Sequence, residues 1–221
     1  MLVSQIITKG LTPLRPETEL QDVFPENYPE GITYAPVIEN DSFIGFLSLS
    51  DLEAEQETHH KVADCFLEPI AHPIREDQHL FEVLPWFEKT GMPLLPVLDS
   101  ELKYAGVLDI HRVSRYLSAS YAFQTEGGTL VLSIPAIQYS LSELARLIEA
   151  NQGKVLSVVL ESDPVLNQNY LVHIKINQPD LSRIVATLER FEYNVLEVHQ
   201  ALEASSIDKD RFDQLMRYLG I

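Results

Sequence analysis

A chain that repeats its own pattern at a fixed distance is constrained to fold as two similar modules, and this one does so over its first half. Thr12-Pro13, followed by Glu19-Leu20 and Val23, recurs as His72-Pro73, followed by His79-Leu80 and Val83, an offset of 60 residues. Tyr34-Ala35-Pro36-Val37-Ile38 recurs as Leu94-Leu95-Pro96-Val97-Leu98 at the same offset, and Gly45-Phe46-Leu47 as Gly106-Val107-Leu108 at 61. The extra residue falls in the second copy's turn, where insertions are tolerated. Each copy reads as an extended segment, a helix, two strands around a polar turn and a closing helix. The first helix, near 20–24, is expected to be irregular, because Pro25 and Pro29 end it early. In the second, Leu80, Val83, Leu84 and Phe87 keep helical spacing up to Gly91. A sheet with helices on one side leaves its other face apolar, so the copies should pack together around a cleft.

The end of the first hairpin is the most informative stretch. After the apolar run at 43–49, Ser50 with Glu53 three residues later forms the pattern of a capping box, which predicts a helix N-terminus there. Such a place suits an anion.

The strand Pro-Val-Ile, a polar turn, Ile-Gly-Phe-Leu-Ser and then Asp-Leu resemble a CBS domain, and their repetition over 1–118 resembles a CBS pair, with copies at about 1–58 and 59–118. The segments beginning Val3-x-x-Ile6 and Val62-x-Asp64 resemble the family's leading segments. In CBS domains that bind adenosine ligands, a Gly-x-x-Ser/Thr-x-x-Asp motif supplies the site, and Gly45, Ser48 and Asp51 match it. A carboxylate there can accept hydrogen bonds from both ribose hydroxyls, each charge-assisted bond contributing about 1.5–3 kcal/mol. The resemblance further implies that Thr12, Pro13 and the Tyr34-Ala35 backbone hold the adenine, with Pro13, Ala35 and Pro36 as apolar walls. Helix capping would explain Asp51 equally well.

The second copy carries Asp109 and Arg112 where the first has Ser48 and Asp51. Arginine cannot accept a ribose hydrogen bond, so the first copy's binding manner does not carry over. His111 and Arg112 could instead meet a phosphate as a second site, but a simple Asp109–Arg112 pairing is the preferred reading.

Beyond a linker expected at 119–127 the pattern changes to strand, helix, strand, strand, helix, strand over 128–201. That order predicts a ferredoxin-like βαββαβ sandwich, so the chain is expected to be α+β. Among regulatory proteins this half resembles an ACT domain. A CBS pair followed by an ACT domain resembles the acetoin-utilisation B-type regulatory proteins. Amino-acid-binding ACT domains place a glycine after the first strand, whereas this chain reads Pro135-Ala136-Ile137-Gln138-Tyr139-Ser140. A dimerisation role is therefore expected in place of amino-acid sensing. Residues 202–221 carry Ile207, Phe212, Leu215, Met216 and Leu219 among charges, the pattern of an amphipathic helix packing on its own chain or a dimer mate.

Charge narrows the partners. The chain carries a net −17, with 8 Lys and Arg against 20 Asp and Glu up to Ser118, which argues against nucleic acid or anionic lipid as a partner. No apolar run approaches the ~18 residues of a membrane span. The start MLVSQIITKGL has neither a basic beginning nor a long apolar core, and the single Cys65 cannot form an internal disulfide. A cytoplasmic protein is the expectation.

His60 and Asp64 stand at i,i+4 spacing, too few ligands for a metal, and His59 and His60 lie in a charged stretch that reads as a solvated helix face. Gly-x-Ser-x-Gly, phosphate-loop and His-Glu-x-x-His motifs are all missing, and Cys65 beside Phe66 and Leu67 reads as a small buried thiol. The expectation is thus a non-catalytic, homodimeric sensor without cofactor or metal. It would bind an adenosine nucleotide such as AMP, ADP or ATP and signal through its second domain to an unknown protein partner. The alternative is a structural adaptor with a vestigial nucleotide site.

Overall fold

Hairpins dominate the first half because strongly apolar runs there are broken by turns of the right chemistry. In the computed structural model, which describes residues 1–69 and 72–200, β1 (Tyr34–Glu39) pairs antiparallel with β2 (Ser42–Ser48). Asn40 and Asp41 both take positive φ, 48° and 65°, as a two-residue turn matching the strand twist requires. In the second copy β4 (Leu94–Leu98) pairs with β5 (Tyr104–Asp109), and the longer turn holds the extra residue. Both hairpins carry a bulge at the same place, between Val37 and Ile38 and between Val97 and Leu98. Alongside each runs a short parallel neighbour: β3 (Ile74–Arg75) on β4, and a single bridge from Leu14 to Val37 in the first copy.

Helices α1 (Leu52–Thr58) and α3 (Ile110–Ser118) close the two copies, and α2 (Leu80–Thr90) precedes the second hairpin. Where the second copy has α2, the first has only two 3-10 turns, Leu20–Asp22 and Pro25–Asn27, Pro25 opening the latter. The irregularity expected from Pro25 and Pro29 is thus present.

The copies exchange their leading segments. Residues from Val3 to Thr8 join the second copy: Val3 N–H donates to Gln78 O, Thr8 bridges Val107, and Val3, Ile6 and Ile7 enter its core with Leu80, Val83, Leu95 and Leu108. Residues from Lys61 to Glu68 join the first copy in the same manner, Glu68 bridging Phe46 and Val62 entering the core with Leu20, Val37 and Phe46. A division at 58/59 therefore separates the sequence copies but cuts through both cores.

The chain divides into two units, Met1–Leu117 and Ser118–Ile221. In the second, the stretch expected as a linker contains one helical turn, α4 (Tyr121–Gln124). Then follow β6 (Gly128–Pro135), α5 (Leu141–Glu149), β7 (Val155–Ser162), β8 (Asn169–Ile176), α6 (Ser182–Arg190) and β9 (Asn194–His199). The strands order β7-β8-β6-β9, all antiparallel. Alternate residues Leu130, Leu132 and Ile134 of β6 and Val172, Ile174 and Ile176 of β8 meet Leu144, Leu147, Ile148, Ile184 and Leu188 of the two helices, so both helices cover one face. Ser140 caps α5 by accepting from Glu143 N–H. The terminal helix expected over 202–221 lies outside the described residues.

Candidate ligand site

The first hairpin gathers its candidate residues at one end, because β1 begins where β2 finishes. Tyr34 stands opposite Ser48, and Asp51 follows three residues later at the start of α1. Leu14 donates to Pro36 O (2.8 Å) and accepts from Ile38 N–H (2.9 Å) in a parallel bridge to Val37, so Thr12-Pro13, just before it, stands at the end where β1 begins. Thr12 and Asp51 are exposed, while Pro13, Tyr34 and Ser48 are half-buried. Ala35 and Pro36 are buried, so a ligand reaching this end meets Pro13 and Tyr34 before it meets either of them.

The capping box expected at Ser50 and Glu53 is not formed. Helix α1 starts one residue later than expected, with Asp51 in the N-cap position but its side chain making no cap bond. The Ser50 hydroxyl has a closer partner in Ser48 Oγ, at 2.9 Å. Asp51 has no ion-pair partner among the described residues, so its carboxylate is left with acceptor capacity facing water. With seven residues, α1 has only a short run of aligned peptide dipoles to offer an anion.

Gly45 also has a packing role that its motif does not imply. It lies opposite Val37, three residues before Ser48, and a Cβ there would stand 2.8 Å from Leu67 Cβ. The missing side chain admits the exchanged segment 66–68. Gly106 does the same for Thr8, whose carbonyl would stand 2.6 Å from an added Cβ.

In the second copy the preferred Asp109–Arg112 pairing is absent among the described residues. Asp109 is buried and its Oδ1 accepts the His111 N–H at 2.9 Å, which caps α3 from inside. Arg112 reaches back to the first segment, donating from Nη1 to Thr8 Oγ1 at 3.2 Å. His111 and Arg112 are both exposed.

Two tyrosines escaped the sequence reading. The Tyr28 hydroxyl donates to the Thr12 carbonyl at 3.2 Å, and burial pushes its ionisation upward. Tyr104, from the second hairpin, packs against the first copy's core with its hydroxyl buried and without a hydrogen-bond partner among the described residues. Burial, and then the neighbouring Tyr28, push its ionisation up as well. A tyrosine at a strand start gives no sequence signal of such a position.

In the second unit, the connection from β6 to α5 is a 3-10 turn, Ala136–Gln138, with Ile137 exposed. It borders a cavity of about 610 Å3 that Ser133, Glu143 and Tyr193 also line. No helix among the described residues is long and apolar enough to cross a membrane.

The sequence matches no protein-family model and no curated protein. Solved structures do resemble it. A CBS domain pair/ACT domain protein from Thermotoga maritima is 19% identical, over 53% of this chain and 96% of its own, with a TM-score of 0.45. CBSX2 in complex with AMP is 24% identical over 52% of this chain and 95% of its own, with a TM-score of 0.44. The CBS domain pair of a protein bound to 5'-methylthioadenosine and S-adenosyl-L-methionine is 16% identical over 53% of this chain and 99% of its own, with a TM-score of 0.43. The protein is thus a mixed α+β chain with CBS domain pairs among its structural neighbours.

Proposed function

We propose that the duplicated unit is a CBS pair that senses an adenosine-containing ligand, and that the second unit is an ACT-like dimerisation domain passing the signal to a protein partner. The observation that carries this reading is the Asp51 carboxylate. It sits at a helix start without capping the helix, three residues after Ser48, which faces Tyr34, and at the end of β1 where Thr12-Pro13 stands. A ribose would give that carboxylate the two hydroxyl donors it lacks, and Ser48 would stand next to them. Tyr34 and Pro13 offer apolar surface for a base. The second copy, with Asp109 committed to His111 N–H, has no equivalent acceptor and is not proposed to bind adenosine in this manner.

The reading is tested by thermal unfolding of the full chain with AMP, ADP, ATP, NAD and S-adenosylmethionine. A ligand at about 100 times its dissociation constant stabilises the folded state by about 2.7 kcal/mol. Asp51→Ala should abolish that shift and leave the midpoint of the unliganded protein almost unchanged, because no cap bond is lost. If none of the five raises the midpoint, a structural adaptor with a vestigial site takes the place of the sensor.

A further inference from the structure

At the other end of α1 a second cluster assembles that the hairpin site does not use. Glu55 in the last turns of α1 and His59, the residue just past its end, bring Oε2 and Nδ1 to 2.9 Å. The 3-10 turn Val62–Asp64 then brings Cys65 back against the two. One donor atom from each of Glu55, His59 and Cys65 lies within 4.8 Å of the other two. Metal bonds of about 2.0–2.3 Å hold donors roughly 3–4 Å apart in a tetrahedron, so the cluster needs to contract by about an ångström.

Glu55 Oε2 is also shielded from solvent and takes no hydrogen bond among the described residues, even with His59 Nδ1 so near. His59 Nδ1 also lies 3.0 Å from Thr58 Oγ1, so this buried oxygen has no donor of its own and its contact with His59 turns attractive only when the imidazole carries a proton or shares a cation with it. His59, its side chain 37% exposed, borders a cavity of about 280 Å3 shared with Glu19, Gln56 and His60, so the cluster meets solvent on its His59 side. The pair suggested by spacing, His60 and Asp64, is not part of the cluster: Asp64 Oδ2 instead accepts from Lys61 N–H.

We propose that Glu55, His59 and Cys65 form a three-ligand Zn2+ site whose fourth position is open to water. Thiolate and imidazole with one carboxylate suit a borderline cation, whereas Mg2+ and Ca2+ call for oxygen donors throughout. Binding replaces the Cys65 thiol proton, which leaves to solvent, and the cation's charge answers the carboxylate. The ion would tie α1 to the exchanged segment that carries Cys65. This site stands apart from the adenosine reading and uses none of its residues.

The test is a Zn2+ titration of the chelator-stripped full chain in competition with a chromophoric chelator, followed by Co2+ absorption. One Zn2+ should bind per chain and raise the thermal midpoint. Cys65→Ser and His59→Asn should each weaken binding by more than the roughly 10–100-fold lost when an outer-shell partner is removed. The Co2+ protein should show a thiolate charge-transfer band that Cys65→Ser abolishes, with circular dichroism confirming that the variants fold. No Zn2+ uptake by the wild-type chain, or uptake and a Co2+ band unchanged in Cys65→Ser, overturns the site. Should a variant not fold, the wild-type Co2+ spectrum decides alone: absence of the thiolate band refutes ligation by Cys65.

Discussion

Cys65 shows how a residue's surroundings set its chemistry. Burial first, then the negative charges of Glu55 and Asp64, push its thiol up to about 11 in the metal-free protein. An unfolded chain gives up the same proton at about 8.5. The folded state holds a proton that the unfolded state releases, so the associated stability is intact below the unfolded value and is lost as pH climbs through the folded one. With metal removed, alkylation of Cys65 in the native protein should be far slower at pH ~8 than in the urea-unfolded chain, since only thiolate reacts. An alkylation profile of the native protein that inflects near the unfolded value would contradict this. The sequence disclosed a small buried thiol from its apolar neighbours. It did not disclose Glu55, because Cys65 lies beyond the end of α1 and returns only through a 3-10 turn. Asp51 was legible through its spacing from Ser48, but the withdrawal of Ser50 from the helix start was not. That depends on Ser48 Oγ engaging Ser50, a contact between side chains that no periodicity encodes.

Elements were more legible than contacts, because apolar alternation and turn residues act locally. Both hairpins and the strand and helix order of 128–199 follow from such patterns, and the bulges shared by the two hairpins leave the 60-to-61 change of offset to the turn. What local pattern does not encode is a crossing. Gly45 and Gly106 read as motif and repeat positions, yet each is needed because another segment passes against it. Gly106 is the more demanding, since its φ of +146° is hostile to side chains and Thr8 O would stand 2.6 Å from a Cβ. Gly106→Ala should therefore destabilise the duplicated unit by at least the ~1–3 kcal/mol of a strained backbone, read as a lower urea midpoint. At Gly45, φ is unexceptional and the nearest obstacle is the Leu67 Cβ, so Gly45→Ala should cost less. Equal midpoints for Gly106→Ala and wild type would show that the Thr8–Val107 crossing tolerates displacement.

Across the duplicated unit, the exchange of leading segments makes each copy's core depend on chain that the repeat assigns to the other. Val3, Ile6 and Ile7 are buried in the second copy's cluster, and Met1 O accepts the Leu80 N–H that opens α2. Removing residues 1–8 uncovers that cluster, at about 1.5–3 kcal/mol for each buried aliphatic side chain. The sequence shows two matching leading segments, but matching cannot tell which sheet each one joins. Amide hydrogen exchange of the chain lacking 1–8 distinguishes the two arrangements. With the exchange, protection falls first in β4, β5 and α2, while β1 and β2, sealed by Val62 and the Phe46–Glu68 bridge, keep more of theirs. Without it, the first copy would loosen first. The sheet of β6 to β9 has its own core of Leu132, Leu144, Ile174 and Leu188, so its amides should stay protected in either case and report that the remaining chain is folded.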